Sequence, residues 1–106
     1  MELSMKDIKE LMGCSTAERS HSFKIGIKYL IRSATHYQLG RLKSVTDTDL
    51  VLSDAGWVAS TGRFSEALET GKLSEFEPFP DEVIVSRGAI VDACEWLHDL
   101  PRSVIE

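Results

Sequence analysis

The sequence predicts a mainly β domain. About five short antiparallel strands form a small, strongly bent barrel. One helix precedes them and a second, short helix is inserted between strands 3 and 4. Three observations lead there. Apolar and β-branched residues fall in runs of strand length, separated by turn signals. The links between the first three runs are too short for a crossover, so those neighbours are antiparallel. Short strands in a chain of 106 residues bury a core by curling the sheet on itself.

The elements follow in order. Met5, Ile8, Leu11 and Met12 share one helical face, with Ser4 placed to cap the helix and Gly13 to end it. The polar stretch "CSTAERSHSF" reads as a linker, so residues 1–23 form a helix and linker. The barrel spans 24–99. "KIGIKYLIRSATHY", "QLGRLKSVT" and "LVLSDAGWVAS" are its first three strands, and "DTD" marks the turn before the third. An insert covers about 56–81. Within it Phe64, Ala67 and Leu68 share a helical face, Gly71 is the stop, and Trp57 and Phe64 staple the helix to the barrel. "EPFPDE", with two prolines, is extended or turning and not a central strand. "EVIVS" and "AIVDACEWL" are the last two strands, and 100–106 form a tail.

Composition narrows the function classes. A formal net charge of −5 argues against broad, non-specific contact with phosphate backbones. Cys14 and Cys94 match neither a metal spacing nor a disulfide framework, which fits a reduced cytoplasmic compartment. No signal-peptide core and no membrane-length apolar run is present. There is no His/Cys cluster, nucleophile elbow or phosphate loop, so neither metal, cofactor nor catalysis is expected.

Several strands break the alternation expected of a half-buried sheet. Val83, Ile84 and Val85 are consecutive, as are Tyr29, Leu30 and Ile31, and Leu50, Val51 and Leu52. Apolar side chains then face both sides, and a small barrel has one inside. Helices cover part of the outer face. A second copy covers the rest, with Val83, Ile84 and Val85 as a docking edge and Trp96 at the subunit contact.

Two motifs carry a resemblance. "YQLGRLKSVTDTDLVLSDA" (37–55) contains Gly40-x-Leu42, the turn residue Asp47, then Leu50, Leu52 and Asp54. "VIVSRGAIVDACEW" (83–96) sets Arg87-Gly88 between two apolar runs. In this order they resemble the Sm/LSm family, over about residues 24–97. The resemblance implies an SH3-like barrel of five strands, assembled edge to edge into a homo-oligomeric ring of about five to seven subunits. It also implies uridine-rich RNA at the pore. The compact form is similar to small members of phage origin, which implies a host cytoplasm. Two features depart from the family pattern. The "TDTDL" turn is one residue shorter, and the base-reading asparagine position is Asp49, preceded by Thr48 rather than an aromatic. A carboxylate only accepts hydrogen bonds, whereas an amide also donates.

The candidate ligand residues are Arg87, Gly88, Asp49, Asp47, His36 and Tyr37. Arg87 either stacks on a base or nucleotide at a shared rim, or pairs with Asp49 to fix two turns. His36 and Tyr37 are either a stacking platform or a rim histidine beside a core tyrosine. Gly40 marks a sharp bend or a close backbone approach, and Gly88 a tight corner. The expected function is a non-enzymatic, ring-forming Sm-like protein that binds RNA or single strands at the Arg87 rim. The alternatives are an assembly or protein-interaction ring, or a small-nucleotide binder.

Overall fold

The computed structural model describes residues 21–106. The expected helix over residues 4–13 lies outside them. The described elements are β1 (Lys28–Ser33), β2 (Tyr37–Val45), β3 (Asp49–Ser60), helix α1 (Phe64–Thr70), β4 (Glu75–Pro78), β5 (Val83–Ser86), a 3-10 turn (Arg87–Ala89) and β6 (Ile90–Glu95). The strands make one antiparallel sheet in the order β4-β3-β2-β1-β6. β5 joins the same edge of β3 as β4 does. It pairs with the first half of β3, Asp49 to Leu52, while β4 takes the second half, Gly56 to Ser60.

The fold class holds as mainly β and antiparallel, with two corrections. The sheet has six strands, and it bends without closing, since β5 and β6 meet at the 3-10 turn without a ladder between them. The extra strand is β4, within the expected insert and overlapping at Glu77 and Pro78 the segment expected to be merely extended. Pro78 is tolerated there because it ends an edge strand, where a missing N–H breaks no ladder.

Two hydrophobic clusters lie on opposite faces of the sheet. The first holds Tyr29, Ile31, Leu42, Leu50, Leu52, Ala55 and Val85. The second holds Leu30, Leu39, Val58, Ala67, Leu73, Phe76 and Trp96. Side chains of a strand alternate between faces, so consecutive Tyr29, Leu30 and Ile31 feed both clusters. β3 changes parity along its length. Leu50 and Leu52 face the first cluster, as does Ala55, whereas Val58 faces the second. The register against β2 slips between Leu39 and Arg41, opposite Asp54, whose φ of 50° is left-handed. One extra residue in the strand moves everything beyond it to the other face.

The second cluster explains much of the two-faced apolar pattern. Cover for it comes from α1 and the chain after β6. Ala67 and Leu68 of α1 rest on it, and Leu100 and Ile105 pack at its margin. α1 ends as expected at Gly71, where φ is 80° and the amide donates to Ala67 O at 2.8 Å. Phe64 contributes to the stapling by stacking on Tyr37, with ring centroids 5.9 Å apart. Trp57 does not. It lies on the opposite face from Val58, edge-on to His36.

Trp96 is likewise corrected. Expected at a subunit contact, it is 2% exposed and belongs to the second cluster, with Nε1 donating to Asp99 O at 3.2 Å. Burying an indole removes about 150–250 Å² from water, a transfer term of about 4–6 kcal/mol at 25 cal/mol per Å². The polar N–H finds its acceptor in the turn that follows.

Two glycines are required by close approach. A Cβ on Gly40 would stand 2.8 Å from Ala55 Cβ and 3.0 Å from Leu52 Cβ, and one on Gly56 would stand 2.0 Å from the Phe76 ring. Gly88 differs, since a Cβ there would meet Ser86 Oγ at 3.8 Å, ordinary contact. Gly56→Ala is therefore expected to lose about 1–3 kcal/mol of stability, the usual range for overpacking. Gly88→Ala should stay within about 0.5 kcal/mol of the parent. Urea unfolding of the two variants side by side checks both values.

Candidate functional site

The corner at Arg87 is built from the β2–β3 turn. Thr46 organises that turn. Its N–H donates to Asp49 O at 2.8 Å, and its Oγ1 accepts from the backbone of Asp49 at 3.0 Å and of Thr48 at 3.3 Å. Such a hydroxyl-to-backbone arrangement substitutes for a backbone turn. β5 then runs alongside, its last register pair being Asp49 with Ser86. One residue on, the Arg87 N–H donates to Thr48 O at 2.8 Å, and its Nη1 donates to Thr46 O at 2.6 Å. Arg87 thus ties the β5–β6 corner to the β2–β3 turn through backbone carbonyls. Thr46 O is one acceptor of the Arg87 guanidinium, beside the expected choice between an ion pair with Asp49 and a ligand. Asp47 is exposed and Asp49 half-buried in the same turn, so two carboxylates stand in the stretch that Arg87 grips.

The other candidates divide between two places. Gly88, His36, Ile84 and Val85 line a groove of about 510 Å³ between the β1–β2 turn and the β5–β6 corner. His36 bonds Thr35 Oγ1 through Nδ1 at 2.8 Å and meets the Trp57 ring edge-on at 5.9 Å. Tyr37, the next residue along β2, turns to the other face. With Phe64, Leu68 and Cys94 it lines a separate hollow of about 250 Å³. His36 and Tyr37 therefore do not form one stacking platform. The exposed partner of His36 is Trp57, 37% accessible, whose place beside His36 depends on the β2–β3 register.

The strand edges form the other part of the site. Among the described residues β5 is paired on its β3 side alone and β6 on its β1 side alone. In β5, Val85 enters the first cluster, Val83 is half-buried, and Ile84 points outward with 69% of its surface exposed. In β6, Val91 is 59% exposed. Ile84 lies across from Val51 of β3, and the two line a shallow groove with Asp81 and Glu82.

Two ion pairs stand beside these edges. Arg32 of β1 grips Asp92 of β6 with two bonds, Nε to Oδ1 at 3.1 Å and Nη2 to Oδ2 at 2.5 Å. The Asp92 hydrogen bond, then its charge, holds the guanidinium above its ordinary range. Lys43 pairs with Glu82 beside β5. Among the described residues no three His, Cys, Asp or Glu side chains converge on a metal-sized site, and no helix is long and apolar enough to cross a membrane.

Burial pushes the Cys94 thiol up from its usual range, and the nearby Asp92 carboxylate adds to the effect. Thiolate is then scarcer in the folded chain than in the unfolded one, so stability declines as pH rises through the ordinary thiol range. In a Cys14→Ser background, iodoacetamide should alkylate Cys94 at pH 8 several-fold more slowly than it does after unfolding. Asp92→Asn should move the pH–rate curve to lower pH. No family model, no curated protein and no solved structure matches this chain.

Proposed function

We propose that this chain is a non-enzymatic Sm-like module whose copies join head to tail into a closed ring. The two open strand edges carry the reading. β5 and β6 each leave one edge unpaired by any described residue, and each turns an exposed aliphatic side chain outward. Unpaired N–H and C=O groups on a strand edge are a template for another strand. The two edges differ, so their contact is heterologous, and repetition of a heterologous contact closes a ring when the rotation allows. The short turn joining β5 to β6, the bend at Gly40 and the order of the two motifs support an SH3-like, Sm-like reading of the bent sheet. Static light scattering at about tens of micromolar should report several times the 11.8 kDa chain mass. Ile84→Asp should return folded monomer, because the residue is exposed and its loss leaves the core intact. A monodisperse wild-type monomer would exclude the ring.

The second reading places single-stranded RNA or a nucleotide at the Arg87 corner. What favours it is the convergence there of a guanidinium braced on backbone with a turn that a ring would repeat once per subunit. Asp47 and Asp49 oppose phosphate, so affinity is modest and falls steeply with salt. Oligo-uridine binding at low salt should vanish in Arg87→Ala and strengthen several-fold in Asp49→Asn. Unchanged binding in Arg87→Ala sinks this reading and leaves the ring as an assembly or protein-interaction module.

A further inference from the structure

We propose that the segment after β6 is a releasable strap that closes the outer edge of β4 and so confines intermolecular strand pairing to β5 and β6. Both backbone groups of Phe76 turn away from β3 and meet Ile105. The Phe76 N–H donates to Ile105 O and the Ile105 N–H to Phe76 O, each at 2.9 Å. Pro78, at the end of β4, has no N–H to offer. A single residue of strap therefore satisfies the outward-facing groups of Phe76, and it rests against the second cluster as it does so.

The strap is fastened unevenly. Its first part is held at several points. His98 Nε2 donates to Leu68 O at 2.8 Å, Lys28 Nζ donates to His98 O at 2.5 Å, and Trp96 Nε1 reaches Asp99 O at 3.2 Å. Beyond Leu100 the hold is sparse. Arg102, Ser103 and Val104 are exposed, and Arg102 reaches Asp54 at 3.9 Å, a surface pair of little weight. The Ile105 bridge and its side-chain packing thus hold the distal end. When that end lifts, β4 gains a free edge next to apolar surface, the combination that invites strand addition.

The naming of β5 and β6 as the permitted edges rests on the ring reading, so the test separates the two. Ile105→Pro removes the donor to Phe76 O. It is made in wild type and in the Ile84→Asp background, where the ring contact is blocked. Light scattering between about 10 and 100 µM should show at least a twofold rise in mean mass for Ile105→Pro in both backgrounds, with circular dichroism still native. Leu100→Ala trims the same cluster without touching the bridge, and should keep its parent's mass. Parent-like mass in folded Ile105→Pro, or an equal rise in Leu100→Ala, overturns the proposal. If wild type proves monomeric, the ring reading fails, whereas a rise on Ile105→Pro still supports the strap. Should Ile105→Pro not fold, hydrogen exchange on wild type decides. The Phe76 and Ile105 amides should exchange at least tenfold faster than those of Leu30 and Leu52, and equal protection overturns the strap.

Discussion

The close approach of Gly40 to the bulged part of β3 is the constraint on which the rest of this structure depends. Leu52 and Ala55 come so near the backbone at Gly40 that a methyl group would not fit between them. That contact accommodates the slip of β3 against β2, with Asp54 in a left-handed conformation. The slip reverses which residues of β3 face which side. Without it, Val58 would fall on the same face as Leu50 and Leu52 and Ala55 on the opposite one, and the second cluster would lose a wall. A left-handed conformation at a non-glycine residue costs on the order of 1 kcal/mol or more, and the packing on both faces offsets it.

The parity change also decides the partners of β3. Its first half bends toward β5 and its second half toward β4, so two short strands share one edge of a long one. The sheet then has an inner face filled by strand residues and an outer face that needs a cover. α1 and the chain after β6 provide it around Phe76 and Trp96. The cover stops short of Val51 and Ile84, where the outer face stays partly open beside the free edge of β5. The exposed aliphatic surface on β5 is thus what the described residues leave uncovered, a narrower surface than consecutive apolar triplets alone suggest.

Much of this was legible in the sequence where the cause is local. Apolar runs located β1, β2, β3, β5 and β6, and the spacing of Phe64, Ala67 and Leu68 with Gly71 located α1. Gly40 was readable as a bend because a glycine inside a strand wants a reason. The features that escaped depend on contacts distant in sequence. β4 contains a proline that argues against a strand until its edge position is known. Gly56 is indispensable because of the Phe76 ring, twenty residues on. Trp96 is internal because the chain turns back after β6, and nothing near it in sequence announces that return. At the corner, Arg87 does meet the β2–β3 turn, and one acceptor of its guanidinium is the carbonyl of Thr46, which the sequence pattern does not name. A carbonyl leaves no mark in side-chain chemistry, whereas a nearby aspartate does.

Electrostatics bear on the two free edges in the same way. The chain carries a net charge of −5, and copies of it repel one another before they meet. Carboxylates stand beside both edges, Glu82 next to β5 and Asp92 within β6. Each is matched by a cation from a neighbouring strand, Lys43 of β2 for Glu82 and Arg32 of β1 for Asp92. Exposed pairs of this kind add little to folding stability. Their consequence lies at the edges, where they cancel charge that would otherwise oppose a second strand. Asp81, a further carboxylate beside Ile84, disfavours an acidic approach there, so the proposed ring contact calls for a strand that is apolar and locally neutral. The segment of β6 around Val91, with Asp92 already neutralised by Arg32, has that character, so charge as well as shape is consistent with the proposed pairing of unlike edges.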